Sequence, residues 1–152
     1  MFHRYQHESD IYPSLSRIPL DVRMKLDLTG IKISLKQWLE FSNEERIVLC
    51  HLPVEAEEEK QAFTAYVDFL SRRYSGESVR TTVALSSSLW DTSNQVPAAV
   101  LDRSAGSTRA ISLEEWARWK SHQRYALYKT AVSKSDPGQF SDVLNELREL
   151  KG

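Results

Sequence analysis

Four histidines, one cysteine and a run of glutamates are the side chains in these 152 residues whose types suit metal binding or proton transfer. His3 and His7 stand four apart with Glu8 and Asp10 close by, a spacing that offers two imidazoles to a metal if the segment is helical. A resident site also needs a fixed second shell, and a polar terminal stretch reads as a mobile arm, so no metal is expected. His51 follows Cys50, but adjacent helical residues project about 100° apart and form no dyad. Cys50 closes the apolar run Ile47-Val48-Leu49-Cys50, where a lone thiol acts as a small buried hydrophobe. His122 follows Ser121 and reads as a solvated residue in the first turn of a helix. Glu55, Glu57, Glu58 and Glu59 gather at a helix start, where each well-placed carboxylate is worth ~0.3–1 kcal/mol against the dipole. They spread around the helix instead of converging on an ion. The five glycines form neither a GxGxxG nor a P-loop. No nucleophile with a base and no carboxylate pair stands out, so the expectation is a protein that is not an enzyme and carries no cofactor.

Such residues need a scaffold, and length and composition bound it. At 152 residues and 41% hydrophobic content the chain suits one domain, 1–152, with enough core to fold without a disulfide or metal. Residues at the start form no apolar h-region, and no stretch approaches the roughly 20 apolar residues a spanning helix needs, so a soluble, cytoplasmic protein without membrane contact is expected. Twenty basic against twenty-one acidic residues leave a formal charge of -1 and no basic block, which argues against nucleic acid.

Sliding the sequence over itself shows one strong offset, 78 residues. Ile18-Pro19-Leu20-Asp21-Val22 lies on Val96-Pro97-Ala98-Ala99-Val100, and Ile33-Ser34-Leu35 on Ile111-Ser112-Leu113. Trp38 falls on Trp116, Phe41 on Trp119, Arg46 on Arg124 and Leu49 on Leu127. The predicted fold is all-α, two tandem copies of a multi-helix unit related by a pseudo-twofold: a first copy about 18–75, a connector about 76–95, and a second copy about 96–150. Each copy opens with proline at the first helical position. Gly30 ends the first of these helices. Ser34-Leu35-Lys36-Gln37, Ser42-Asn43-Glu44-Glu45 and Ser112-Leu113-Glu114-Glu115 fit capping boxes, and Ser121 is expected to cap a further helix. Leu35, Trp38 and Leu39, repeated as Leu113, Trp116 and Ala117, form a core stripe at i, i+3, i+4. A long helix from about 56 to 74 presents Phe63, Tyr66, Val67, Leu70 and Tyr74, and its counterpart begins at Pro137 with Phe140, Val143, Leu144 and Leu147. The connector is expected to lack a strand, since a short strand is unstable without a partner and the sequence shows none.

Arg46 and Arg124 hold matching positions while most surface positions differ. Each either packs on a tryptophan and caps a preceding helix or reaches a partner's carboxylate. Trp38 and Trp116 fall on core faces, whereas Trp90 and Trp119 are candidate interface anchors.

The string Arg17-Ile18-Pro19-Leu20-Asp21-Val22-Arg23-Met24-Lys25-Leu26-Asp27, then Gly30-Ile31-Lys32-Ile33 and Trp38, resembles the nitrate reductase-associated protein family of bacteria. Gln123-Arg124-Tyr125-Ala126-Leu127 is similar to a second segment of that family. Many members have cysteine where Arg17 stands, so any cofactor role of that cysteine is closed to this chain. The resemblance implies a small accessory protein of a molybdenum-dependent assimilatory nitrate reductase, acting by protein binding in its maturation or activity, with no catalytic residues to carry over. Arg23, Lys25, Arg46, Arg124 and Trp119 are the partner-binding candidates. Two other readings stay open: a nucleic-acid-binding helical module, and a small-molecule-binding protein whose site converges only in space.

Overall fold

Pro19 stands in extended backbone immediately before helix α1, Leu20–Thr29, one residue earlier than the proline-first expectation placed it. It has no side chain to cap with, and Glu8 supplies the cap from upstream: its carboxylate accepts the Leu20 N–H at 3.0 Å and the Tyr12 hydroxyl at 3.0 Å. A negative group at the positive end of the helix dipole is the favourable sign. The computed structural model in which this is seen describes residues 2–107, 109–133 and 137–149.

Gly30 ends α1 at φ 72°, and its N–H bonds back to the Leu26 carbonyl. A Cβ there would lie 2.6 Å from the Thr82 carbonyl oxygen and 3.1 Å from the Ala84 nitrogen, so both the backbone conformation and the neighbouring chain require glycine. Ile31–Lys32 then forms strand β1. Helices α2, Leu35–Glu40, and α3, Asn43–His51, follow, each opened by a complete capping box on Ser34 and Ser42. Helix α4, Glu57–Ser75, starts where Glu59 accepts the N–H groups of Glu55 and Ala56, and Gly76 stops it at φ 76°. Arg80–Thr81 is strand β2, antiparallel to β1 with Ile31 opposite Thr81 and Lys32 opposite Arg80. This corrects the strandless connector: the partner is the two residues after Gly30, and the Thr82 N–H bonded to the Gly30 carbonyl at 2.7 Å extends the pairing.

Helices α5, Ala98–Ser107, α6, Leu113–Arg118, α7, Ser121–Val132, and α8, Pro137–Glu149, complete the described residues. Ser112 caps α6 as a capping box, but α7 is capped one residue before Ser121: Lys120 is the N-cap and Gln123 accepts its N–H at 2.8 Å. Among the described residues the fold is all-α apart from the two-residue strand pair.

Cα proximity divides the chain into two units, one holding the residues up to Arg4 with Glu8–Ser86, the other Tyr5–His7 and the chain from Ser87 onward. In the first, α1 packs on α3 and α4; in the second, α5 packs on α7 and α8. The first core gathers Leu15, Ile18, Val22, Trp38, Phe41, Leu49, Phe63, Val67 and Leu70. The second buries Trp90, Val100, Ile111, Trp116, Tyr125, Leu127, Phe140, Val143, Leu144 and Leu147. Trp38 and Trp116 are both fully buried, but the stripe around them is not: Leu35, Leu39 and Leu113 are 45%, 46% and 41% exposed. A six-residue helix turns under two full turns, so only one of its large side chains points inward.

The segment ahead of α1 is packed, which corrects the mobile-arm expectation. Tyr5 and Ile11 are buried, the Tyr5 hydroxyl donates to the His122 carbonyl at 2.6 Å, and His7 meets Glu146 at 3.2 Å. Leu15 takes the left-handed conformation at φ 51°, a strained state for a leucine, and its carbonyl accepts the Trp38 indole N–H at 2.7 Å.

Candidate functional site

The motif residues of α1 separate by face. Arg23 is exposed, whereas Asp21 and Lys25, one helical turn apart, are 0% and 2% exposed. Lys25 Nζ lies 3.1 Å from Asp21 Oδ2, a buried ion pair within α1. The ammonium also donates to the carbonyls of Leu49 and Cys50, in the last turn of α3. Those are carbonyls that helix geometry leaves without a partner, and a cation there also suits the negative end of the dipole. Burial pushes the Asp21 carboxyl up against the pull of Lys25, and burial pushes Lys25 down against the pull of Asp21. Lys25 therefore faces the interior, which removes it as a surface contact.

Cys50 borders the same pair, and burial raises its thiol to about 12, so it stays protonated and inert at neutral pH. His3, its imidazole pushed down chiefly by burial, feels the Asp21 charge. His51 sits on the α3 surface with Nδ1 2.9 Å from the Ile47 carbonyl oxygen. Among the described residues no three His, Cys, Asp or Glu side chains converge as a metal site.

Arg46 and Arg124 make the same bonds in their own units. Arg46 Nε donates to the Trp38 carbonyl at 3.0 Å and Nη2 to Leu39 at 2.8 Å; Arg124 Nε donates to Trp116 at 2.9 Å and Nη2 to Ala117 at 3.0 Å. Each guanidinium closes the C-terminus of the short helix before it. The third acceptor differs: Nη1 of Arg46 donates to the Ser14 carbonyl and Nη1 of Arg124 to the Asp91 carboxylate, both at 3.3 Å. Phe41 and Trp119 are the matching C-caps, Phe41 buried and Trp119 half-buried with its ring edge-on to Trp116. Trp90, expected as an exposed anchor, is fully buried against Tyr125 at 4.9 Å between ring centroids. Tyr12, which lies 78 residues before Trp90, is half-buried, and its neighbour Ile11 is buried.

Sequence reasoning passed over two buried charged groups. One is Glu8, whose role depends on a chain reversal between residues 8 and 20 that no periodicity announces. The other is Glu115, held by Arg148 Nε at 3.0 Å and by Arg109 at 3.3 Å. Burial raises the Glu115 carboxyl, but the bonds from Arg148 and Ser112 and the two arginine charges outweigh it and hold it below its ordinary value. The capping-box spacing predicted the Ser112 bond but not the arginines.

The predicted contacts thus split between fold and surface. Arg23 is exposed and Trp119 half-buried, while Lys25, Arg46 and Arg124 are tied to backbone carbonyls of their own units. Among the described residues no helix is long and apolar enough to cross a membrane. Residues 4–147 match the family model described as conserved nitrate reductase-associated protein. No curated protein and no solved structure matches the chain.

Proposed function

The chain belongs to the conserved nitrate reductase-associated protein family, and from that membership we propose that it is a non-catalytic accessory protein that binds a molybdenum-dependent assimilatory nitrate reductase and supports its maturation or activity. The observation that carries the reading is the extent of the match, which runs from Arg4 to Leu147 and takes in both helical units. Arg23 in the first unit and Trp119 in the second are the contacts we assign to the partner; Leu35 and Leu39 of α2 and Leu113 of α6 are exposed apolar side chains in the same two units. Arginine and aromatic side chains are enriched among interface anchors.

We further infer that the two units arose by duplication. The support is the shared packing of α1 on α3 and α4 and of α5 on α7 and α8, together with the matched arginine bonds at an offset of 78 residues.

Deleting the gene in its native host tests the function. A growth defect on nitrate but not on ammonium, with reductase protein present and poorly active, is the expected result. Equal growth and equal reductase activity in the mutant overturn the reading.

A further inference from the structure

Strands β1 and β2 bring two cations face to face. Lys32 and Arg80 are directly opposed across the antiparallel pair, a placement that sends both side chains to the same side of the ladder. Like charges in that relation repel, and a sheet of two residues per strand has little else to hold it. Lys36, in the first turn of α2, joins them, and all three line one pocket of about 400 Å3 in the first unit. Among the described residues no carboxylate comes within 4.0 Å of any of the three.

Two hydroxyls complete a set of donors. Ser34 Oγ accepts from the Gln37 N–H at 3.1 Å, and Ser78 Oγ accepts from Arg72 Nη2 at 2.7 Å. Each is used as an acceptor, which leaves its own O–H to donate. Both serines line the pocket. The remaining hydroxyls there are committed, Ser71 to the Glu77 carbonyl, Ser75 to the Ser71 carbonyl and Tyr74 to Glu45.

We propose that this pocket binds a small polyvalent oxyanion of the phosphate class, held by Lys32, Lys36 and Arg80 with Ser34 and Ser78 as neutral donors. The charge of the ligand follows from exposure. The three cations are solvated, so each contributes weakly and a monovalent anion such as nitrate or chloride gains little over its hydration. A group with two or more charges and several acceptor oxygens engages all of them at once, and arginine pairs such oxygens bidentately. The size of the ligand follows from Glu40 and Glu77, which also border the pocket. An extended acidic ligand that covers the whole lining meets both carboxylates, which favours a compact oxyanion on Lys32, Lys36 and Arg80.

This site does not depend on the nitrate reductase reading and is tested apart from it. The full-length protein is titrated calorimetrically with pyrophosphate at constant ionic strength, alongside the Lys32→Ala/Arg80→Ala variant and a control, Arg118→Ala, at an exposed arginine of the second unit. Saturable binding to the wild type, at least tenfold weaker in the double variant and unchanged in the control, is expected, with nitrate at the same ionic strength failing to compete. The double variant relieves a repulsion, so it should fold as well as the wild type; Lys36→Ala, on an exposed helical position, supplies an independent weakening. Absence of saturable pyrophosphate binding, equal binding by the double variant, or displacement by nitrate would overturn the proposal.

Discussion

A lysine with 2% of its surface exposed holds its place only if something accepts its protons, and for Lys25 the acceptors are two carbonyls at the end of α3. Asp21 balances the charge from 3.1 Å, and the end of α3 holds the ammonium as well. Removing one member of such a pair leaves the other buried and uncompensated, which typically costs about 3–5 kcal/mol, while replacing both by apolar groups of similar volume is often neutral. Lys25→Ala should therefore destabilise the protein by an amount in that range in urea denaturation, and Asp21→Leu/Lys25→Met should recover most of the loss. A single variant within about 1 kcal/mol of the wild type, below the cost of an orphaned buried charge, would show that the ammonium is solvated after all. The charges were legible in the sequence as an i, i+4 pair, but their burial was not. Amphipathic patterning places charges outward, and what draws these inward is the end of a helix 24 residues away in the chain.

Helix boundaries were the most legible level, because a capping box is a local device whose spacing can be read from letters. Ser34, Ser42 and Ser112 cap as expected. Ser121 does not, because Gln123 reaches back to Lys120, and the N-cap backbone N–H matters more to that reach than the hydroxyl beside it. The strand pair was illegible for a different reason: two residues carry no periodicity, and β1 exists only because β2 returns beside it. Gly30 is where both devices meet, ending α1 and leaving room for the returning chain. A side chain there pays roughly 1–2 kcal/mol for the left-handed conformation alone, and the 2.6 Å approach to the Thr82 carbonyl adds a clash with backbone that cannot rotate away. Gly30→Ala should lower the thermal midpoint and expose the Thr82 amide to hydrogen exchange. Unchanged protection at Thr82 would mean that the strand pair does not depend on this turn.

Across the whole chain, the offset of 78 residues pairs some residues that share an environment and others that do not, and it does not show which face outward. Trp38 and Trp116 are sealed and Arg46 and Arg124 make paired bonds, whereas Trp90, Leu35 and Leu39 went the opposite way from their expected burial. The difference has a physical source: the repeated residues answer to their own helix ends, while exposure depends on which neighbouring helix covers a face. This distinction separates variants that damage the fold from variants that damage binding. Arg46→Ala and Arg124→Ala each remove charge-assisted bonds to two carbonyls, bonds worth ~1.5–3 kcal/mol when made to a charged group, so both should lose stability by similar amounts. Arg23→Ala and Trp119→Ala leave those bonds intact. Arg23 is exposed, and surface changes of that kind usually fall within about ±0.5 kcal/mol, so Arg23→Ala in particular should melt with the wild type. If Arg23 and Trp119 meet the reductase, Arg23→Ala and Trp119→Ala should weaken capture of purified nitrate reductase at temperatures where they remain folded, and Arg46→Ala should regain full capture once cooled below its own transition. Capture that tracks stability across all four variants, with Arg23→Ala binding like the wild type, would remove Arg23 and Trp119 from the interaction.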